Sequence, residues 1–427
     1  MFSKLKKTYR RFPRDFWVLM LASFVDMLGG SLIFPFFALF ITQKFNVGMT
    51  QVGTMFLVWS LTSSVIGNTL GGAMADKFGR KTNLIIGLVA SAVSALLMLL
   101  IGNFNWFFLA VGVVGIFQDI AGPARNAMIA DLVPEDLRSD AYGMFRIVFN
   151  ASAAIGPLIG GLVASRSFNA LFIADVIISI LVAVFVFLRL PETKPVVVKT
   201  DEQQPEGSLA DTFKGYRQVL RDRLFIAFGI VTLLQTLVYV QMNSTLSVYL
   251  RSTHGLPIEK FGTLLSLNAL MVVLLQMGFT RLVSVRPPLL VCALGMLLYA
   301  VGFGMFGVVS GYGWFVAAMV IITIGEMIVA PVEQKLVIDF APEDMRGRYS
   351  AVFGFVWIIP WAIGPLGAGL IMDHSDPRLV WIISFGIGML SMLGYLGLHA
   401  RAGAKFAARQ NGNGKNKSIT QPASLPE

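Results

Sequence analysis

The sequence predicts an all-α membrane protein with twelve transmembrane helices in two pseudo-symmetric six-helix bundles. Three observations carry this. Of 427 residues, 56% are hydrophobic and only 14% charged, with a mean hydropathy of +0.72. A soluble domain carries roughly 25% charged residues, so this chain cannot cover a water-facing surface and the bilayer is its natural solvent. Second, apolar stretches of about 20 residues, the length that crosses the hydrocarbon core, recur twelve times. Third, the chain repeats itself. Pro123–Leu162 aligns without a gap onto Pro331–Leu370, an offset of 208. The alignment pairs Asp131 with Asp339, Pro134-Glu135-Asp136 with Pro342-Glu343-Asp344, Arg138 with Arg346, Gly156-Pro157 with Gly364-Pro365 and Gly161 with Gly369. The fourth and fifth helices thus correspond to the tenth and eleventh. Two halves in the same orientation follow, related by an axis along the membrane normal, as alternating access around a central site requires.

The first helix, 16–41, follows a basic segment and is too long and too unlike a cleavage site to be a signal peptide. At 1.5 Å per residue, Asp26 lies roughly 15 Å into it, near the bilayer midplane. Phe34-Pro35-Phe36-Phe37 and Phe40 follow. The second, 51–75, carries Trp59 and the third is 82–102. The fourth, 105–130, holds Asp119 about 20 Å from its outer end, with Arg125 nearer the cytoplasm. The fifth, 140–165, carries Arg146 and a run of small residues, and the sixth, 168–190, has Asp175 in its outer third. A polar stretch with Pro191, Pro195 and Pro205 follows; it reads as a cytoplasmic linker with a short surface helix from Ser208 to Leu220.

The seventh helix, 223–250, carries Gln235, Tyr239, Gln241 and Asn243, and the eighth, 258–281, carries Asn268 and Gln276. The ninth is 287–309. The tenth, 313–338, holds Glu326, which the repeat aligns with Gln118, and Glu333, aligned with Arg125. The eleventh, 348–372, contains Trp357 and Trp361, and the twelfth is 378–399. The expected organisation is an N-terminal bundle at 1–190, a linker at 191–222, a C-terminal bundle at 223–400 and a disordered basic cytoplasmic tail at 401–427.

The net charge of +10 is unevenly placed. Residues 1–15 hold Lys4, Lys6, Lys7, Arg10, Arg11 and Arg14 against Asp15; residues 401–427 hold Arg401, Lys405, Arg409, Lys415 and Lys417 against Glu427. The two ends therefore supply nine of the ten charges. They flank apolar helices, and the C-terminal tail lacks interleaved aromatics, so they read as positive-inside signals rather than nucleic-acid contacts. Cytoplasmic loops would carry Lys77, Arg80, Lys81, Arg138, Arg281, Arg286, Arg346 and Arg348, against Lys44, Arg166, Arg251, Lys260 and Arg378 outside. Both termini come out cytoplasmic. The basic tails and short linker suggest a bacterial plasma membrane.

Several function classes are excluded. Cys292 is the single cysteine, so no intrachain disulfide forms. The three histidines, His254, His374 and His399, make no HExxH pair, and no Cys/His group has metal-ligand spacing. No GxxxxGK[ST] run is present, and no cofactor or metal is implied. No clustered catalytic set suggests an enzyme. Energy would come from an ion gradient or from the solute gradient itself.

The loop at 72–81, Gly-Ala-Met-Ala-Asp-Lys-Phe-Gly-Arg-Lys, resembles the signature G-x-x-x-D-[RK]-x-G-R-[RK] of the major facilitator superfamily. Gly72, Asp76, Lys77, Gly79, Arg80 and Lys81 fill its defining positions. Gly72 would allow close helix packing and Gly79 a tight turn. The resemblance implies that this cluster latches the outward-facing state, with Asp131 as a partner; the alternative is a charged loop obeying the positive-inside rule. The corresponding loop near Arg281 to Pro287 lacks the pattern.

In the fifth helix, Gly143, Ser152, Gly156-Pro157 and Gly160-Gly161 resemble the G-x8-G-x3-G-P-x2-G-G motif of the drug/proton antiporter branch, with Ser152 where glycine is usual. Pro157 frees a carbonyl and bends the helix. The alternative is a packing motif with no bearing on transport direction. Many members of that branch carry an arginine four residues before Gly115; here Val111 stands there, which puts the usual proton-coupling arrangement in doubt. Arg125 and Arg146 are possible substitutes.

A charge at the bilayer centre costs about 2.5–3.5 kcal/mol on insertion scales, so such groups face a cavity or pair. Asp26, Asp119 and Glu326 are expected to include the proton-coupling carboxylate, with Asp26 favoured; interhelical hydrogen bonds or ion pairs are the alternative. Arg125, Glu333, Lys335 and Asp339 read as ion pairs at the cytoplasmic ends. Phe34, Phe37, Trp59, Arg146, Gln235, Tyr239, Trp357 and Trp361 are the candidate cavity residues, the aromatics suiting lipophilic, aromatic or cationic solutes. The same aromatics could equally contact lipid or pack between helices. The expected function is proton-coupled efflux of lipophilic or amphiphilic small molecules, the partners being substrate, protons and the lipid bilayer. A monomer would suffice. A facilitator or proton symporter for a sugar, peptide or metabolite is the other transporter reading; a receptor that binds without flux lies outside the class.

Overall fold

The computed structural model describes residues 11–118, 120–194, 209–342 and 345–417. Twelve helices among them are long and apolar enough to cross a membrane. They are α1 (Arg14–Phe45), α2 (Met49–Ala75), α3 (Arg80–Leu100), α4 (Phe104–Leu132), α5 (Asp140–Ala164) and α6 (Phe168–Arg189). The second half has α7 (Arg223–Ser244), α8 (Ile258–Val283), α9 (Pro288–Val308), α10 (Tyr312–Phe340), α11 (Arg346–His374) and α12 (Leu379–Ala402). Their ends fall within about a turn of the sequence expectation, α7 excepted. That helix is expected through 250, but it stops at Ser244, and Leu246–His254 continues as a separate segment. The Ser244 hydroxyl donates back to Val240 O at 2.9 Å, sharing a carbonyl of the helical ladder, and Thr245 Oγ1 donates to Gln241 Oε1 at 2.7 Å. At the other terminus, the last helix is continuous through Lys417, into the segment expected to be disordered from 401.

Packing follows the sequence repeat. In the first half α1 packs on α5 and α6, and α3 on α6; in the second, α7 packs on α11 and α12, and α9 on α12. The interface between the halves repeats as well, with α2 against α11 and α8 against α5. The outward surface is apolar: Leu100, Leu188, Leu274 and Met277 are two-thirds exposed or more, as lipid-facing side chains must be. Trp106 and Trp314, one repeat offset apart, are 68% and 60% exposed at the starts of α4 and α10, the depth at which amphipathic rings anchor a helix.

Two irregularities interrupt the spanning helices of the first half. α1 passes through a single 3-10 turn, Phe34–Phe36, because Pro35 has no N–H to continue the ladder. α2 opens into a π turn at Thr62–Gly67, where the Thr62 hydroxyl bonds back to Val58 O at 3.0 Å and Trp59 O at 3.1 Å. Such turns recur at functional sites. Between the halves, Leu209–Arg221 is a short helix lying against α11. Asp222 caps α7, accepting from Leu224 N and Phe225 N.

Candidate functional site

The end of the bundle at which α1 starts is called the near end, and the opposite the far end. Between them lies a cavity of about 670 Å³, walled by both halves. Phe34, Phe37, Trp59, Tyr239, Trp357 and Trp361 all line it, joined by Phe56, Asn243, Asn268 and Asp175. Phe34 is the junction of the cage: its ring centroid lies 6.0 Å from Trp59 in its own half and 5.3 Å from Trp361 in the other. Arg146 and Gln235, expected in this wall, are not among the lining residues. Arg146 is exposed on α5 and donates across to Gln334 Oε1 of α10 at 3.0 Å. Gln235 is turned into the second bundle, where its amide oxygen accepts from Tyr395 OH at 3.2 Å.

The intramembrane charges fall into distinct settings. Asp26 Oδ2 and Arg125 Nη2 form an ion pair at 2.6 Å linking α1 to α4. Arg125, expected in an ion pair, thus has the Asp26 carboxylate of α1 as its partner. Glu326 stands beside the cavity. Asn268 Nδ2 donates to its Oε2 at 2.8 Å and Tyr239 OH to its Oε1 at 3.3 Å. Glu333, at the position the repeat pairs with Arg125, accepts from Tyr395 OH at 2.8 Å within the second bundle. Asp119 lies outside the described residues. Asp175, absent from the expected proton-coupling set, reaches the cavity wall from α6. The signal that could have found it is an ionisable residue in a spanning helix, a functional position by default.

The far end is closed by backbone packing. A methyl on Gly53 of α2 would stand 2.6 Å from the Pro365 carbonyl oxygen of α11. On α5, one on Gly161 would stand 3.2 Å from Gly262 Cα of α8. Asp373, at the end of α11, accepts from the first N–H groups of α2, Met49 at 2.9 Å and Thr50 at 2.7 Å. The other small residues of α5 divide. Gly156 packs on Ser31 and Gly160 on Leu32 and Phe36, while Ser152 donates to Phe24 O at 3.1 Å, so these grip α1. Pro157 lines the cavity, and a methyl on Gly143 would meet nothing within 4 Å among the described residues.

At the near end Gly79 has φ +99°, a conformation that favours glycine, and turns the chain from α2 into α3. Arg80 Nε lies 3.3 Å from Asp131 Oδ2 at the foot of α4. Lys81 Nζ donates to Phe187 O at 2.8 Å. The Asp76 side chain lies outside the described residues. Gly72 meets nothing within 4 Å among them; the close packing expected there is made by Gly71, whose added methyl would come 2.9 Å from the Ile120 backbone. The sequence reading missed Glu192, which ties this loop to the segment after α6.

Two related helix bundles closing one end of a central cavity define a secondary transporter of the membrane. The chain belongs to the Major Facilitator Superfamily, which residues 19–365 match. It is 31% identical over 382 residues to the Na(+), Li(+), K(+)/H(+) antiporter of Planococcus maritimus, covering 84% of this chain and 87% of that one. It is 22% identical over 401 residues to multidrug resistance protein MdtH of Shigella flexneri, covering 92% of this chain and 96% of the relative. Among solved structures, a nucleoside transporter NupG mutant superimposes with a TM-score of 0.76 at 14% identity, covering 90% of this chain and all of that one. A POT family transporter bound to 5-aminolevulinic acid gives 0.75 at 16%, covering 91% and 96%. At those identities the likeness is one of fold. The protein is a multi-pass membrane transporter, not an enzyme.

Proposed function

We propose that this transporter exports lipophilic or amphiphilic small molecules in exchange for protons, by alternating access. The observation that carries the reading is the cavity wall: aromatic rings from both halves around a space of about 670 Å³, with intramembrane carboxylates in or beside it. Such a wall suits solutes that are largely apolar and often cationic, and the carboxylates Asp26, Asp119 and Glu326 are the proposed proton carriers. The multidrug-resistance relative supports the substrate class, and the Planococcus antiporter supports proton exchange.

The near end then faces the cytoplasm of a bacterial cell, with both termini inside, and a single chain suffices. With the far end closed, the cavity is open to cytoplasmic substrate. Gly79, Arg80, Lys81 and Asp131, with Asp76, form the latch that tightens when the halves rock to the outward-facing state.

A second reading, exchange of protons for monovalent metal cations, is favoured by the 31% identity to the Planococcus protein. One experiment separates the readings. In inside-out vesicles preloaded acid, lumenal pH is followed while lipophilic cations, neutral drugs, or sodium, lithium and potassium salts are added. Lumenal alkalinisation that depends on the added compound and is lost in Asp26→Asn supports antiport and identifies the cargo. No response to any of them, with labelled solute still equilibrating, would point to a facilitator and overturn proton exchange.

A further inference from the structure

Asp175 is set apart from the other charges of the membrane interior. It lies on α6 where α1 crosses, and its Oδ1 occupies the space beside Gly29, 2.5 Å from where a methyl on that glycine would stand. The residue is 7% exposed. It lines the cavity, and of the lining residues it alone carries a formal charge. Among the described residues no donor hydrogen-bonds to it and no cation pairs with it. α1, which packs on α6, carries the Asp26 carboxylate, itself held by Arg125 of α4 at 2.6 Å. The cavity lining from α3 and α5 adds Ser91, Ser94 and Ala153, with no charge.

A bare carboxylate in such surroundings carries a desolvation cost of several kcal/mol. It persists as the neutral acid or beside a cation. Both partners have access: protons through the cavity, and a cation with the rings of Phe34, Trp59 and Trp361 in the same wall to receive its charge.

We propose that Asp175 is the binding site for the positive charge of a monovalent cation, taken up in exchange for a proton. This rests on the proton-exchange reading above; it adds Asp175 to the proposed proton carriers Asp26, Asp119 and Glu326 and gives the reading a ligand charge. One proton leaves the carboxyl as one monovalent cation arrives, so the protonated and loaded forms carry the same charge. A neutral solute gains nothing at this site, and a divalent one leaves an unbalanced charge. The cavity volume admits an aromatic ammonium as well as a hydrated alkali ion; the shared chemistry is the single positive charge.

The test uses the purified full-length protein in detergent, with no gradient. Trp59, Trp357 and Trp361 line the cavity, so quenching of tryptophan fluorescence reports the arrival of ethidium, a permanent aromatic monocation. Wild-type affinity is expected to fall as pH drops and protons compete. Asp175→Asn is expected to bind at least about tenfold more weakly, a loss of about 1.4 kcal/mol, with a flat pH profile; Asp175→Glu should keep the pH dependence. Sodium, lithium or potassium displacing ethidium from wild type, at ionic strength matched with N-methylglucamine, identifies an alkali ion as the cargo. Failure to displace it identifies an organic cation; both support the site.

An Asp175→Asn protein with wild-type affinity, or one that keeps the pH profile, overturns it. If Asp175→Asn does not fold, carbodiimide labelling of wild type decides: modification at Asp175 blocked by ethidium or an alkali ion is expected, and unprotected or absent modification there overturns the site. Binding without flux in vesicles would sink the exchange reading while leaving the site standing. Proton-driven export untouched by Asp175→Asn would do the reverse.

Discussion

Glu192 closes the turn between α2 and α3: its Oε1 accepts the backbone N–H of Arg80 at 2.7 Å, and its Oε2 that of Lys81 at 3.2 Å. The carboxylate thereby satisfies donors that a helix start leaves unpaired and sits at the positive end of the α3 dipole. The next residues extend the strap. Thr193 Oγ1 donates to Asp131 Oδ2 at 3.1 Å and Lys194 Nζ to Lys77 O at 2.9 Å. The segment leaving α6 is thus bonded to the loop that carries the family signature and to its partner on α4.

Partial burial pushes the Glu192 carboxyl up, but backbone donors at Lys194, Arg80, Lys81 and Thr193 outweigh it and hold the pKa below the ordinary value. A depressed carboxyl stabilises the fold at pH values above its unfolded pKa, and the contribution is lost as pH falls through the folded pKa. Glu192→Gln should therefore lower the unfolding temperature at pH 7 by the equivalent of about 1 kcal/mol, a typical loss of a helix cap. The gap from wild type should close as pH falls through the carboxyl range, below about pH 4. A gap independent of pH would mean that the carboxylate charge is not what holds the turn.

The Asp26–Arg125 pair predicts an asymmetry. Its side chains are 20% and 11% exposed, so neither charge is well solvated alone. Removing one partner of a buried pair costs about 3–5 kcal/mol, but the survivors differ. An abandoned aspartate can take up a proton, whereas an abandoned guanidinium cannot lose one. Asp26→Leu should destabilise more than Arg125→Met, and the double variant should be more stable than Asp26→Leu alone. Thermal unfolding of the three variants checks the order.

Much of this arrangement was readable from the sequence, for reasons particular residues make clear. Every spanning helix needs an apolar run of fixed length, so all twelve announce themselves, and the shared residues from Pro123 and Pro331 onward reveal the repeat. The tight turn at Gly79 was readable because the glycine sits in a ten-residue motif. Its carboxylate partner was not, because Glu192 stands 112 residues from Arg80. Asp175 was visible as a charge in a membrane helix, but α6 is apolar all round, so no amphipathic phase tells which face it takes. The Asp26–Arg125 pair depends on the rotation of two helices 99 residues apart, which periodicity does not supply. Gln235 illustrates the same limit: a polar residue facing inward in a bundle can meet a neighbouring helix rather than the cavity.

The aromatic cage should govern ligand affinity unevenly. Phe34 touches rings from both halves, Trp59 at 6.0 Å and Trp361 at 5.3 Å between centroids. Phe34→Ala removes both contacts and should weaken ethidium binding more than Trp357→Ala, whose ring has one described aromatic neighbour, Tyr239, at 6.0 Å. Aromatic pairs are worth about 0.5–1.5 kcal/mol beyond area, so a loss of about three- to tenfold in affinity is expected for Phe34→Ala. The quenching titration measures it, and equal losses for the two variants would count against Phe34 as the junction of the cage.

The closed far end depends on two features that act at one interface. Asp373 holds the first N–H groups of α2 by charged hydrogen bonds at 2.9 and 2.7 Å, worth about 1.5–3 kcal/mol each where shielded and less at this exposed rim. Gly53 lets the α2 and α11 backbones meet, and a methyl there would stand 2.6 Å from both the Leu366 amide nitrogen and the Pro365 carbonyl oxygen, atoms that cannot swing aside. Asp373→Ala removes an attraction; Gly53→Leu adds a repulsion. Both act on the far-end-closed state and leave the cavity lining in place. Each should shift the population toward the state open at the far end, which needs only a few kcal/mol of differential stability. A cysteine placed at Thr50, in a Cys292→Ser background, reports the shift through its rate of thiol labelling from the far side in vesicles. Both variants should label faster than the parent, and the double variant fastest. Unchanged labelling in Gly53→Leu would mean that the two helices already stand apart in the membrane.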